Sequence, residues 1–345
     1  MKKFVVKTVA FLVALTATLG LASCGGDSSV EEKSVTLVPI ADPKTVSPAL
    51  GYDYYLVAEP LASAKVKGTA GTAMPLHIVG DLQKLYGGEN GYPQAVLVAR
   101  NDFLEENGAW VESFTAEVAR SATWLTAETT EITTIVNAVA TNLTEGMAPS
   151  LTEVNLTKEV IANSGVRFVK ASENKTAVNA FLSELIGVSE NSAKAVADGF
   201  FYEEKGFSQA TVLSESVDIY MPDGAPALSM AKLMSEEMDG CEFHVVNAGT
   251  IATFVTGESP EAELCVLPLN AASKLLGTGT AYTMLGTVTH GNLYLLSTNP
   301  TPLDSAEVMK GLAGKRIGTI QIENVPGLTL KLILKKYDLA YTQGA

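Results

Sequence analysis

The sequence contains few of the residues that enzymes most often use for catalysis. Only three of its 345 residues are histidine and three are cysteine. His77 and His244 fall inside predicted strands, and only His290 lies at a strand end. No HExxH, paired CxxC or GxxxxGK[ST] motif occurs, and no Ser-His-Asp arrangement of a hydrolase is recognisable. The sequence therefore predicts a protein that is not an enzyme and that holds neither a cofactor nor a metal.

Basic residues are scarce beside acidic ones. The chain has 24 Lys and Arg residues against 38 Asp and Glu residues, which gives a formal net charge of −14. No basic stripe is available to neutralise phosphates, so nucleic acid is not an expected partner. The acidity does not exclude small solutes as ligands.

The first residues have the pattern of a targeting segment. Met1-Lys2-Lys3 with Lys7 forms a positive region, and the apolar run 9–21 is too short to span a membrane comfortably. Small residues precede Cys24, as in lipoprotein signals, where the cysteine becomes the lipidated first residue of the mature protein. We therefore predict a signal peptide over 1–23 and a tether over 24–33. The alternative is a plain secretory signal that is cleaved near Ala22.

A lipidated Cys24 would hold the protein at the extracytoplasmic face of the cell membrane. The mature chain would then carry 21 basic and 38 acidic residues, a net charge near −17. Its other cysteines, Cys241 and Cys265, fall in predicted buried strands and are expected to be free, although a pair is open to an exported chain. About 320 mature residues exceed one comfortable core, which predicts two lobes.

The remaining chain alternates strands with helices. Strands are predicted from 35–40 to 94–100, helices dominate from 101 to 202, and a polar stretch over 203–216 is predicted to be a linker. A second series of strands and helices begins at Val217. This alternation predicts an α/β fold with parallel sheets and with ligands at the carboxyl ends of the strands.

One stretch near the end of the chain combines strand, tight loop and helix. Residues 316–322 alternate and are rich in β-branched types, which predicts a strand. Asn324 can cap the following helix, Pro326 suits its first turn, and Lys335 and Lys336 close it. Backbone N–H groups at such a helix start can bind an anion or a carboxylate. The alternative is an ordinary turn between a strand and a helix.

Several segments, taken together, resemble one family. Residues 218–228 (DIYMPDGAPAL), 267–275 (LPLNAASKL), 286–294 (GTVTHGNLY) and 312–318 (LAGKRIG) are similar to successive parts of the substrate-binding proteins of ABC transporters. The most similar class is the one for nitrate, sulfonates, taurine and thiamine precursors. Residues 58–60 and 90–104 resemble the later half of that family. The resemblance implies a two-lobed periplasmic-binding-protein type II fold, α/β with parallel-rich sheets, whose lobes are joined by a hinge.

The order of these segments departs from the family. The part that comes first in the family lies here at 217–342, so the chain resembles a circularly permuted member; the alternative is a rearranged gene. The resemblance then implies one lobe from 34–90 and 311–345 and another from 91–202 and 217–310. The hinge would lie near Asn299-Pro300 and near Tyr92-Pro93. Strands 35–40 and 316–322 would be neighbours in one sheet.

The resemblance also implies a ligand between the lobes. The candidate contacts all lie in loops at strand ends: Glu59, Tyr92, Asp223, Gly224, Asn270, Ala271, Thr289, His290, Asn292, Gln321, Asn324 and Gly327. Asp223 and Asn270 could instead cap helices. His290 could instead be a turn residue whose hydrogen bonds are satisfied locally. Glu59 is expected to face the cleft. These loops contain no cluster of arginines, so a doubly charged oxyanion is not favoured as the ligand.

The function implied is capture of a small polar, anionic or heterocyclic solute for an ABC importer. The partners would be that solute, the transporter permease and the membrane, with the protein itself a monomer. One alternative is a lipid-anchored sensor that signals to a membrane receptor. Another is an enzyme of the same fold that makes a pyrimidine precursor.

Overall fold

The computed structural model describes residues 33–87, 91–207 and 213–344. The predicted signal peptide, Cys24 and the tether as far as residue 32 lie outside the described residues. Within the described ranges, no helix combines the length and apolarity needed to cross a membrane.

The described residues form twelve strands and ten α-helices. The strands are β1 (Val35–Ile40), β2 (Tyr54–Ala58), β3 (His77–Asp81), β4 (Pro93–Arg100), β5 (Val166–Lys170), β6 (Val217–Pro222), β7 (Cys241–Val246), β8 (Leu264–Pro268), β9 (Tyr282–His290), β10 (Leu293–Ser297), β11 (Arg316–Ile320) and β12 (Tyr341–Gln343). The helices are α1 (Leu61–Thr69), α2 (Leu82–Tyr86), α3 (Asn101–Thr126), α4 (Ile132–Thr141), α5 (Lys158–Asn163), α6 (Ala171–Val188), α7 (Ala225–Ser235), α8 (Leu269–Leu276), α9 (Ala306–Lys310) and α10 (Val325–Lys336).

The strands form two mixed sheets of six. Sheet A has the order β12-β1-β11-β2-β10-β3, and sheet B has the order β5-β9-β4-β8-β6-β7. In sheet A, β1, β11 and β2 are parallel and β10 is antiparallel to both of its neighbours. In sheet B, β7, β6 and β8 are parallel and β4 is antiparallel to β8 and β9. The α/β class predicted from the sequence is therefore confirmed.

The chain passes between the sheets in a reciprocal way. After β3 of sheet A it enters sheet B as β4, and after β9 of sheet B it enters sheet A as β10. Each entering strand runs antiparallel to both of its neighbours: β10 to β2 and β3, and β4 to β8 and β9. The second passage lies at Gly291-Asn292, whereas the sequence placed it near Asn299-Pro300. That placement is wrong because 293–297 already pair with β2 and β3.

The predicted pairing of the first and one of the last strands is confirmed. β1 and β11 are parallel neighbours, with Thr36 opposite Arg316 and Ile40 opposite Ile320. β12 adds to the other side of β1, and Gly344 N donates to Leu37 O at 2.9 Å. The start and the end of the described chain thus meet at one edge of sheet A.

The sequence patterns also predict helices over 42–50, 192–202 and 250–256, and the structure has no α-helix in any of these three stretches. Residues 192–202 contain only a 3-10 turn at Asp198–Phe200, because Ala197 N and Tyr202 N donate to Gly277 O and Met284 O of other elements. Residues 42–50 form two 3-10 turns, each begun by a proline, at Pro43–Thr45 and Pro48–Leu50. Residues 250–256 also contain a 3-10 turn, Ile251–Val255.

Residues 203–207, the first part of the predicted linker, are held against α3 by hydrogen bonds. The Glu112 carboxylate accepts hydrogen bonds from the backbone N–H groups of Lys205, Gly206 and Phe207 at 2.6, 3.1 and 3.2 Å. It also accepts from the Tyr202 hydroxyl at 3.0 Å. Successive backbone donors on one carboxylate order the chain as it leaves residue 202.

Helix α10 lies in the interior, as its apolar sequence predicts. Its buried residues run from Val325 to Lys331 and include Ile333 and Leu334. It packs against α6 and α2 as well as against β11 and β2. One apolar cluster accordingly includes Leu37 of sheet A and Val96 of sheet B. A second cluster fills the other face of sheet B, under α3 and α7.

Candidate functional site

The two passages between the sheets lie side by side. Gly291 N donates to Tyr92 O at 3.0 Å, and Glu59 N donates to Asn292 O at 2.9 Å. Gln94 Nε2 donates to Asn292 Oδ1 at 2.9 Å. Tyr92, Asn292 and Glu59, three of the predicted ligand contacts, are therefore brought together where the chain passes between the sheets. All three are almost fully buried, so they join the passages rather than line an open surface.

Gln83 of α2 ties both passages together. Its Oε1 accepts from Leu293 N at 3.0 Å and lies 3.4 Å from the Tyr92 hydroxyl. Tyr92 also stacks on Phe181, and burial raises its pKa well above the ordinary value. The sequence did not single out Gln83, because an isolated glutamine on a short helix has no motif.

Thr289 and His290 end strand β9 beside these passages. His290 Nε2 is 2.9 Å from Thr287 Oγ1, which in turn accepts from Asn174 Nδ2 at 2.9 Å. Burial, together with the positive charge of Arg167, lowers the pKa of His290 to about 3. The imidazole is therefore uncharged at neutral pH and is part of a buried network. Thr289 Oγ1 is buried without a hydrogen-bond partner among the described residues.

Asn270 connects the two sheets directly. It is fully buried in the first turn of α8. Its Nδ2 lies 3.4 Å from Asn324 Oδ1, 3.5 Å from Glu323 O and 3.2 Å from Ser192 O. Its Oδ1 has no partner in the described ranges. The alternative role of Asn270 as a helix cap is not found, since α8 has no side-chain cap bond. The half-buried Ala271 follows it in the helix.

The turn before α10 corrects the prediction about backbone donors. Gln321 has a φ of 43°, and its carbonyl accepts from Asn324 N at 2.8 Å and from Gly327 N at 3.4 Å. The two N–H groups that were expected to bind ligand are thus used inside the turn. Asn324 occupies the cap position without a side-chain cap bond. Gly327 is required because a Cβ there would overlap the backbone of Ile322.

Asp223 and Gly224 lie at the start of α7. Asp223 Oδ2 accepts from Ser150 N at 2.8 Å, and Gly224 has a φ of 102° at the cap position. Asp223 does not cap α7 with its side chain. The described hydrogen bonds of Asp223 and Asn270 go to different segments, so these two side chains do not form one cluster here.

Glu59 does not have the role that the sequence suggested. Its Oε2 accepts from Ser63 N at 3.0 Å and its Oε1 accepts from Ser63 Oγ at 2.5 Å, so it serves the first turn of α1. Burial raises the pKa of Glu59 above its ordinary 4.5; the hydrogen bonds from Ser63 oppose this, and the charge of Glu159 adds to it. The carboxyl group therefore has a structural use, and Glu59→Gln is expected to change the stability of the ligand-free protein.

We expect the stability difference between wild type and Glu59→Gln to depend on pH. Because the folded-state pKa is raised, ionisation of Glu59 costs stability as the pH rises through the window above 4.5. The unfolding free energy of wild type, relative to Glu59→Gln, should therefore fall as the pH rises above 4.5 and level off once Glu59 is ionised in the folded state as well. Urea unfolding at several pH values measures it. A difference that is constant with pH would contradict the assignment, and Glu159→Gln should reduce the effect.

The described structure contains a groove that the sequence did not predict. It has a volume of about 350 Å³ and runs between α1 and α5, so that each sheet's half of the chain supplies one wall. The first wall consists of Ser63, Val66, Lys67, Ala70 and Ile78. The second wall consists of Val154, Asn155, Thr157, Glu159, Val160 and Asn163. We call it the α1–α5 groove.

Hydrogen bonds join the two halves of the chain in the groove and near it. Lys67 Nζ donates to Val154 O at 2.8 Å, and Lys44 Nζ donates to Ala148 O at 2.8 Å. The Tyr294 hydroxyl donates to Asn163 O at 3.2 Å. Residues of ordinary type that lie far apart in sequence form this groove, and for that reason no motif announces it.

A second groove, of about 290 Å³, lies between α3 and α5 on the sheet B side alone. Within the described ranges, no group of three or more His, Cys, Asp or Glu side chains is placed to hold a metal ion.

Comparison of the chain with protein-family models, with curated proteins and with solved structures gives no significant match.

Proposed function

We propose that the protein is an extracytoplasmic solute-binding lipoprotein that closes two lobes around a small solute and delivers it to an ABC importer. Sheet A with its helices would be one lobe, and sheet B with its helices the other. The lobes would be discontinuous in sequence, as expected for a permuted member of the type II binding proteins.

The strand order carries this proposal. Each sheet contains a run of three parallel strands, β1-β11-β2 or β7-β6-β8, then one antiparallel strand and then a strand parallel to the run. At the edges, β12 extends the parallel run of sheet A and β5 adds a second antiparallel strand to sheet B. In each sheet the antiparallel strand next to this run is the one that arrives from the other sheet. Such a reciprocal exchange is what we would expect of the type II fold to which the sequence motifs are similar, and it supports the proposal. The two adjacent passages would then be the hinge.

The bonds between the sheets support closure as the working motion. The bonds of Lys44, Lys67 and Tyr294 to the opposite half are each single and reach backbone carbonyl groups. These contacts can break and re-form at small cost, so this side of the molecule would open while the apolar cluster around α10, which contains side chains of both sheets, stays packed. A ligand that touches both walls would favour the closed form because it gains contacts there that the open form lacks.

Lipidation of Cys24 would complete the proposed system. The anchor and a short tether would keep the binding domain near the membrane, where the permease receives the solute. The pattern of residues 1–24 supports this part of the proposal.

A thermal-shift screen of residues 25–345 against a solute library tests the function. A solute that binds only the native state at 100 times its Kd adds about 2.7 kcal/mol of stability. For a domain of this size the melting temperature should rise by roughly 4 °C. A melting temperature that no solute moves would contradict the proposal.

A further inference from the structure

The α1–α5 groove carries charges of both signs. Glu159 lies on the wall from the sheet B side, and Lys67 lies on the wall from the sheet A side. None of the ion pairs in the described part of the chain involves either residue. Each charge is therefore available to a ligand.

The carboxylate side of the groove is suited to an ammonium group. Ser63 lines the groove, and the buried carboxyl group of Glu59 lies directly behind it, bonded to Ser63 N and Oγ. Glu159 is close enough for its charge to act on Glu59. A cation that binds Glu159 at the groove wall would also be attracted by the buried Glu59 carboxyl group. The Asn163 and Thr157 side chains on the same wall can supply further polar contacts.

The lysine side of the groove is suited to a carboxylate. Lys67 Nζ uses one donor on Val154 O at 2.8 Å. An ammonium group has three donors, so two are left for an anion at the same position. The bond to Val154 also holds the ammonium group at the boundary between the two walls.

The lining of the groove also contains aliphatic side chains. Val66 and Ile78 face it from one side, and Val154 and Val160 face it from the other. Ile78 is 40% exposed and Val154 is 68% exposed, although both are aliphatic. A ligand with a short aliphatic part would cover them. The volume of about 350 Å³ lies at the small end of the usual range for ligand pockets, roughly 300–1,000 Å³.

We infer that the α1–α5 groove binds a small aliphatic zwitterion of the α-amino-acid type, with its ammonium at Glu159 and its carboxylate at Lys67. This inference rests on the proposed solute-binding function and names its site and ligand class. A zwitterion held in this way touches both walls, so its binding would stabilise the closed form.

Three matched probes test the ligand class: L-leucine, 3-methylbutylamine, which lacks the carboxylate, and 4-methylpentanoate, which lacks the ammonium. Calorimetry on residues 25–345 should show that L-leucine binds about 10- to 100-fold more tightly than either analogue. Lys67→Met should abolish the preference over the amine. Glu159→Gln should abolish the preference over the acid.

Two variants control for indirect effects. Lys310→Met removes an exposed lysine charge at the end of α9, outside the groove. Glu153→Gln neutralises an exposed carboxylate in the same segment as Glu159. Both should leave the three affinities within about twofold of wild type.

The possible failures are distinguishable. Equal binding of the three probes, or preferences that survive both groove substitutions, would overturn the inference. If the probes do not bind but another solute raises the melting temperature, the ligand class is wrong and the proposed function stands. If no solute binds at all, the proposed function fails together with the inference.

Discussion

Gly165→Ala is expected to destabilise the protein by roughly 3–5 kcal/mol. Gly165 has a φ of 64°, and a Cβ at this position would overlap the backbone carbonyl oxygen of His290. That carbonyl cannot move freely, because His290 N donates to Gly165 O at 2.8 Å and Val166 pairs with Thr289. The substitution should therefore push β5 away from β9 beside the passage between the sheets. Chemical denaturation measures the loss.

Gly146→Ala separates the steric effect from the backbone effect. Gly146 also has a positive φ, 82°, but a Cβ there would meet no atom within 4 Å. Its cost should be only that of a left-handed alanine, about 1 kcal/mol. Equal losses for the two variants would show that the contact with His290 is not tight.

Lys158→Met is expected to cost roughly 2–3 kcal/mol. Lys158 Nζ donates to three backbone carbonyls, Leu125 O at 2.9 Å, Ala127 O at 2.7 Å and Thr130 O at 2.7 Å. These carbonyls lie at the end of α3 and in the turn after it, where a cation is favoured by the helix dipole. Methionine keeps most of the aliphatic stem but leaves the three acceptors without this donor.

Lys335→Met is the matched control for that variant. Lys335 also lies in a helix, and its Nζ makes one exposed bond, to Gly187 O at 3.0 Å. Its replacement should cost less than about 1 kcal/mol. A Lys158→Met loss no larger than that of Lys335→Met would contradict the role given to the three carbonyls.

The sequence predicted correctly those strands and helices for which several local signals indicate the same structure. β1 was predicted with its observed bounds, Val35–Ile40, because a short β-branched run between polar residues has one favourable use. Helix α10 was predicted because its apolar side chains, its proline in the first turn and its final lysines all indicate the same helix. Agreement of these local signals explains the success.

Tertiary contacts decided the elements that were missed. The alanine-rich stretch 192–202 favours a helix, yet hydrogen bonds to Gly277 and Met284 leave it irregular apart from one 3-10 turn. β5, over Val166–Lys170, is half-buried along its whole length, so it lacks the alternation that marks a strand. Its place in sheet B depends on β9, more than 100 residues away in sequence.

The candidate site was likewise predicted only in part. Asn270 and Asn324 were both predicted to be contacts, and they do meet between the sheets. Glu59 was assigned to the cleft, but Ser63, four residues later, takes both of its oxygens. The α1–α5 groove could not be predicted, because its walls come from segments 63–78 and 154–163 and consist of residue types without a motif.

Small-angle X-ray scattering with and without a bound solute tests the central claim most directly. The protein would be residues 25–345, and the solute would be the one that raises the melting temperature most in the thermal-shift screen. Closure of two lobes around the solute predicts a smaller radius of gyration at saturation than without ligand. Saturating solute that leaves the radius of gyration unchanged would contradict a binding protein that works by closure.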